Sequence, residues 1–226
     1  RWQKEGLPAN IKKPVFEYIE NGPDVFDYFN MLRFAFVMGW QYFIPGLDGE
    51  VLEENEQYII EKDIFGRTVK NLKDMTSAPQ YLDYTIKTRK DYEALRERLA
   101  PKLYQRYPKN WDRIVSNMTG QDRVLVVLHF DGFYGCPRQL LGDEELLISY
   151  YADPEFVKIM INDRCQFYSD VYAKAITDLK PDLVFIWEDM CYRNGPMISP
   201  ELFREFMLPA YKRLTSFLRS LGVKNI

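Results

Sequence analysis

A chain of 226 residues, 46% hydrophobic and 15% aromatic, carries enough apolar side chain to build a sizeable core, and its length suits one large domain or two small ones. Its 30 basic and 33 acidic residues are interspersed and leave a formal net charge of −3, which excludes a polybasic nucleic-acid or anionic-membrane surface and points to a small-molecule partner. Three scattered cysteines, Cys136, Cys165 and Cys191, exclude a disulfide framework and a thiolate zinc knuckle and fit a reducing cytoplasm, and no apolar run reaches the ~20 residues of a membrane helix.

In chain order, both ends read as cut: the sequence opens at Arg1-Trp2 without a methionine and stops at Ile226, just after a helix stop at Gly222. Val25, Phe26, Phe29, Leu32, Phe36 and Val37 recur near the helical period and predict a helix over 24–37, stopped by Gly39, with Trp40 to Ile44 as a short buried strand. Residues 45–49 are a loop by composition. Alternating residues on either side of Asp63-Ile-Phe-Gly-Arg67 predict a two-stranded excursion, part of an insertion over about 51–87 that also holds an extended piece from Tyr81 to Ile86. Thr88 caps a charged helix to about Leu99, with Glu93 and Arg96 as an i,i+3 pair. Pro101 to Trp111 reads as a surface linker before a short helix near Arg113.

The second half is more regular. Val124 to Phe130 is a nearly continuous apolar run, the pattern of a strand covered on both faces, and Pro137 suits a first helical position. Asp153-Pro154 opens a long helix with an apolar stripe from Val157 to Leu179. Leu183 to Trp187 reads as a second buried strand, Ser199-Pro200-Glu201 as a helix start, and Val223 to Ile226 as the beginning of another strand. Strand, helix and strand in repetition predict an α/β fold, a (β/α) barrel or part of one in preference to a sandwich, in one domain over 1–226.

The residues with chemical potential gather after the two apolar strands. Glu188 and Asp189 are adjacent, so alternation sends their side chains to opposite faces, one toward a pocket at the strand ends. An inward, dehydrated acid can donate a proton; the alternative is that one acid caps a backbone amide and the other pairs with Arg193. His129 and Asp131 share a strand face and could shuttle a proton, or His129, the single histidine, is a core residue. Arg138 offers a guanidinium fork to a substrate carboxylate, unless its surroundings are an ordinary tight turn, while Gly132 and Gly135 permit close backbone approach. Tyr134 and Tyr192 are candidate pocket walls, as is Trp187, for which a place in the core is the stronger reading. No metal ligand set is expected within this stretch, and no GxGxxG or phosphate loop follows a strand.

The blocks Asp63-Ile-Phe-Gly-Arg-Thr68, Gly132-Phe-Tyr-Gly-Cys-Pro137, Asp153-Pro-Glu155, Pro181-Asp-Leu183, Glu188-Asp189, Gly195-Pro-Met-Ile-Ser-Pro-Glu-Leu-Phe203 and Leu208-Pro209 together resemble the uroporphyrinogen decarboxylase superfamily, which also holds corrinoid-dependent methyltransferases. The resemblance implies a (β/α)8 TIM barrel with its pocket at the C-terminal strand ends, of which this chain is an incomplete N-terminal portion. It implies decarboxylation of tetrapyrrole acetate side chains, without a cofactor. The alternatives are methyl transfer using zinc and a corrinoid, with a corrinoid protein as partner, and a non-catalytic tetrapyrrole-binding barrel. It is compatible with a cytoplasmic homodimer that meets neither nucleic acid nor membrane. Glu188 matches the family's strand-end Glu, Asp189 replaces the Ser that follows it, and Asp143 falls where a substrate-contacting Tyr stands. From the residues themselves Glu188, Asp189 and Asp131 are candidate catalytic groups and His129, Tyr134, Arg138 and Tyr192 candidate substrate contacts; of these the resemblance carries over Glu188. The propionate-binding double-Arg segment would precede Arg1, and the late His, or the zinc His-x-Cys pair of the methyltransferases, would follow Ile226.

Overall fold

Short β-branched and aromatic runs separated by turn residues favour strands in the first half of the chain. The computed structural model describes residues 2–11, 25–38, 43–74, 78–120 and 122–226. After one helical turn, α1 (Val25–Tyr28), the chain enters strand β1 (Phe34–Met38). Strands β2 (Glu50–Glu54), β3 (Tyr58–Lys62), β4 (Thr68–Leu72) and β5 (Gln80–Asp83) come next. Helices α2 (Arg89–Arg96), α3 (Leu103–Arg106) and α4 (Trp111–Met118) lead to strand β6 (Val124–Asp131). Helices α5 (Gly135–Leu141), α6 (Asp143–Ala152) and α7 (Pro154–Leu179) then connect to strand β7 (Leu183–Trp187). A hairpin of β8 (Cys191–Tyr192) and β9 (Gly195–Pro196) precedes α8 (Pro200–Leu202), a π-helical turn (Phe203–Met207) and α9 (Leu208–Ser220).

These elements do not build the expected barrel. One sheet is parallel, in the order β1-β6-β7, and a separate sheet is antiparallel, in the order β2-β3-β4-β5; among the described residues neither closes. The physical reason lies in the connections: consecutive strands between residues 50 and 83 are separated by fewer residues than the dozen or more that a parallel crossover needs, so neighbours pair antiparallel. The two-stranded excursion expected around Asp63 is therefore a four-stranded sheet, and the extended piece expected over 81–86 is β5.

The helix expected over 24–37 is also corrected. It is helical only at Val25–Tyr28, and Phe34–Met38 is a strand paired in parallel with Val124–Leu128. Apolar residues near the helical period also suit a strand whose partner is distant, and the Phe-Ala-Phe-Val-Met composition favours the latter. The strand expected over 40–44 lies mostly outside the described residues, and Phe43 and Ile44 are not in a strand. Strand β7 is present, but Phe185 and Trp187 are 42% and 55% exposed, so it is not dry on both faces as expected. The strand expected at Val223–Ile226 contributes a single parallel bridge between Leu183 and Asn225.

Helix α7 organises the core. Asp153 caps its first turn by accepting from the Phe156 amide at 3.2 Å, and its apolar stripe, including Val157, Ile161, Tyr168, Val171 and Ile176, is buried with Val127 of β6, Val184 of β7 and Leu214 of α9. Thr88 and Asp91 form a reciprocal capping box on α2. Arg96 does not pair with Glu93 as expected: its guanidinium grips Asp163 of α7 through two bonds of 2.6 Å, and the Tyr92 hydroxyl donates to the same carboxylate at 3.0 Å. A bidentate pair shared with a phenol outcompetes an i,i+3 contact in water. Trp111 donates to Asp178 at 2.6 Å, and the Tyr107 hydroxyl donates to the Val171 carbonyl at 2.5 Å, so the segment from α2 to α4 is fastened along α7. Among the described residues no helix is long and apolar enough to cross a membrane.

Candidate functional site

Strands β6 and β7 end together, because Asp131 stands opposite Trp187 in the parallel register. The segments that leave them, Gly132 to Gly135 and Glu188-Asp189, therefore meet at one edge of the sheet. The Glu188 carboxylate lies under the turn, accepting from the amides of Gly135 at 3.0 Å, Tyr134 at 3.3 Å and Asp189 at 3.3 Å. The Tyr211 hydroxyl, on α9, completes the set with a short bond to Glu188 and itself accepts from the Phe133 amide at 3.2 Å. Successive backbone amides suit a carboxylate, and no lysine or arginine is needed to hold it. Gly132 makes the approach possible: a Cβ there would stand 2.1 Å from one Glu188 oxygen.

Asp189 points away from this nest and pairs with Arg138, Nη2 to Oδ2 at 2.6 Å, instead of with Arg193. Asp131 accepts from Gln139 at 3.2 Å through its carboxylate and from the Tyr168 hydroxyl at 2.7 Å through its carbonyl. His129 stands two residues earlier on β6, and its side chain lies outside the described residues. Tyr134 is fully buried and donates its hydroxyl to Asp143 at 3.1 Å; burial first, and then the Asp143 charge, hold this phenol protonated well above its usual range. Tyr192 sits on β8, 58% exposed. Burial pushes the Cys136 thiol up to about 12, which leaves it inert. Among the described residues no cluster of three or more His, Cys, Asp or Glu is disposed to hold a metal ion.

Beside this edge lies a polar cleft of about 200 Å³, lined by Arg67, Tyr81, Tyr84, Arg138, Gln139 and Asp143. The antiparallel sheet and its outgoing strand supply one wall, and α5 with the start of α6 the other. Arg67 is held by one acid and two rings. Its Nε and Nη2 donate to Asp63 at 2.7 and 2.6 Å, and its guanidinium lies 4.8 Å from the Phe65 ring centre and 4.5 Å from that of Tyr81. The walls touch at Gly142, whose positive φ of 82° and missing Cβ admit the Tyr84 ring; an added Cβ would lie 2.5 Å from that ring. Burial first, and then the Asp143 charge, raise the Tyr84 pKa, so its hydroxyl also remains a donor.

The sequence reading missed Arg67, Tyr84 and Tyr211. An Asp and an Arg four apart around a glycine turn is a signal for the first; the other two are brought in by contacts between distant segments. Tyr150, 2% exposed, carries a hydroxyl without a hydrogen-bond partner among the described residues. Tyr150→Phe is thus expected to leave the melting temperature unchanged or to raise stability by up to ~1 kcal/mol, since it removes an unsatisfied buried donor; a fall of several degrees in a thermal scan would show that the hydroxyl is bonded. Comparisons of the chain with protein-family profiles, with curated proteins and with solved structures find no match.

Proposed function

We propose that the chain is a carboxy-lyase-like enzyme acting on a small carboxylate-bearing molecule, the activity implied by its resemblance to uroporphyrinogen decarboxylases, in a reducing cytoplasm. The observation that supports this reading is the division of labour among the strand-end groups. Glu188 is engaged by three amides and a phenol, so it positions the turn. The pair of Arg138 and Asp189 keeps side-chain exposures of 28% and 47%, and Arg138 also lines the cleft, where Gln139 in turn holds the Asp131 carboxylate.

Loss of CO2 leaves an electron pair on carbon that must take up a proton, and the transition state needs a fixed opposite charge nearby. In this reading Arg138 anchors a substrate carboxylate that is retained. Asp131 or Asp189 delivers the proton or balances positive charge that develops on the substrate ring. The cleft lies below the ~300–1,000 Å³ of most ligand pockets, so it suits a single ring together with its acidic arm and not a whole tetrapyrrole.

The test is release of labelled CO2 from a panel of carboxylates, reduced tetrapyrrole acids included, by the purified protein. Asp131→Asn and Asp189→Asn are expected to leave the fold intact, with the more important of the two slowing release by about a hundredfold. No release from any member of the panel, or methyl transfer to an added corrinoid in its place, would sink the proposal.

A further inference from the structure

The hydrogen-bonding groups that line the cleft are unequal in kind, and their inventory specifies a ligand. Arg67 spends Nε and Nη2 on Asp63, leaving Nη1 without a partner among the described residues. Arg138 spends Nη2 on Asp189, leaving Nε and Nη1. The Tyr84 hydroxyl has no described partner either and stays protonated. Against these donors stands one open acceptor: Asp143 takes the Tyr134 hydroxyl on Oδ1 and has nothing on Oδ2.

Charge narrows the choice further. The two guanidiniums are each matched by an acid behind them, Asp63 and Asp189, and Asp143 adds a third acid, so the cleft carries no excess of positive charge and a polyanion such as a di- or triphosphate would be poorly matched. A single carboxylate can still accept from the remaining guanidinium edges, because these edges are aligned before the ligand arrives. Arg67 in particular, pinned between two rings and with a side chain only 11% exposed, loses little freedom on binding. Asp143 then calls for a donor on the same ligand, and the Tyr81 and Tyr84 rings favour a flat apolar body.

We infer that the cleft between Arg67, Arg138 and Asp143 binds a small aromatic carboxylate that also carries a hydrogen-bond donor, a hydroxy or amino group, near its acid. The carboxylate lies against the guanidiniums and the donor meets Asp143. This ligand class rests on the carboxy-lyase reading for whatever follows binding, whereas binding itself is independent of it.

Titration calorimetry with three probes tests the assignment: mandelate carries a hydroxyl beside its carboxylate, phenylglycine an ammonium group, and phenylacetate neither. Mandelate or phenylglycine is expected to bind at least ~10-fold tighter than phenylacetate, since a site built around a charged acceptor penalises a ligand that leaves it unpaired. Preference for mandelate identifies a hydroxy acid, and preference for phenylglycine an amino acid. Asp143→Asn, nearly isosteric, is expected to shrink the difference by at least ~5-fold. Arg67→Lys, which retains the charge and loses the fork, is expected to weaken all three probes. Equal affinity for the three probes, a preference untouched by Asp143→Asn, or no binding to the folded wild-type protein would overturn the inference. Binding with this pattern but without release of CO2 would keep the inference and remove the carboxy-lyase reading.

Discussion

Raising the pH past 10 is expected to unfold the protein over roughly one to two pH units. Tyr92, Tyr107, Tyr134, Tyr150, Tyr168 and Tyr211 all have pKa values raised chiefly by burial. A phenol in the unfolded chain loses its proton near 10, whereas these six keep theirs while the fold persists, so above pH 10 the folded state binds more protons and stability falls with pH. Below 10 both states are protonated and nothing is lost. Each phenol contributes a slope of about 1.4 kcal/mol per pH unit. Six acting together exceed the ~5–15 kcal/mol that holds a domain folded within one to two units. Cys136, pushed up to about 12 by burial, adds to the trend. Tyrosinate absorbance and circular dichroism followed together should change in one step; phenols that titrate near 10 while the far-ultraviolet signal stays native would contradict the burial described.

Gly132→Ala is the single substitution expected to do most harm to the strand-end site. Its methyl group would lie 2.1 to 2.6 Å from the three carboxyl-group atoms of Glu188. An exposed glutamate would swing aside at little cost. Glu188 cannot do so without leaving three amides and the Tyr211 hydroxyl. Overpacking and the loss of partners for a sheltered charge together are expected to cost about 3 kcal/mol, a fall of roughly 10 °C in Tm for a chain of this size. Glu188→Gly should be harmful alone and yet should relieve the clash in the double variant, so the two changes should be strongly non-additive in a mutant cycle. A Gly132→Ala protein as stable as the parent would mean that Glu188 does not occupy the turn.

Much of the second half is legible in the sequence, because there local pattern and tertiary role agree. The apolar run Val124 to Phe130, the cap at Asp153 and the start at Ser199-Pro200 each match the element found. The first half is less legible for a physical reason. Phe34–Met38 is held as a strand by residues 90 positions away, and its own spacing also fits a helix. The barrel expectation extended a strand-helix-strand unit, present between β6 and β7, across segments that pair antiparallel. At the site, Glu188, Asp189 and Arg138 stand out as residue types after strands, but the exchange of Arg193 for Arg138 as the partner of Asp189 depends on how the turn at Gly132 folds back. Arg67 and Tyr84 reach α5 and α6 from a different sheet, and no local periodicity encodes that meeting.

The seating of Tyr84 against Gly142 joins two separately built layers. Glu188 and Asp189 are anchored at the end of the parallel sheet, while Arg67, Tyr81 and Tyr84 of the meander form the opposite wall of the cleft. On the ligand assignment proposed above, diversifying side chains on that meander, with Gly132, Glu188 and Tyr211 left alone, is a route to retuning which molecule binds without disturbing the strand-end turn.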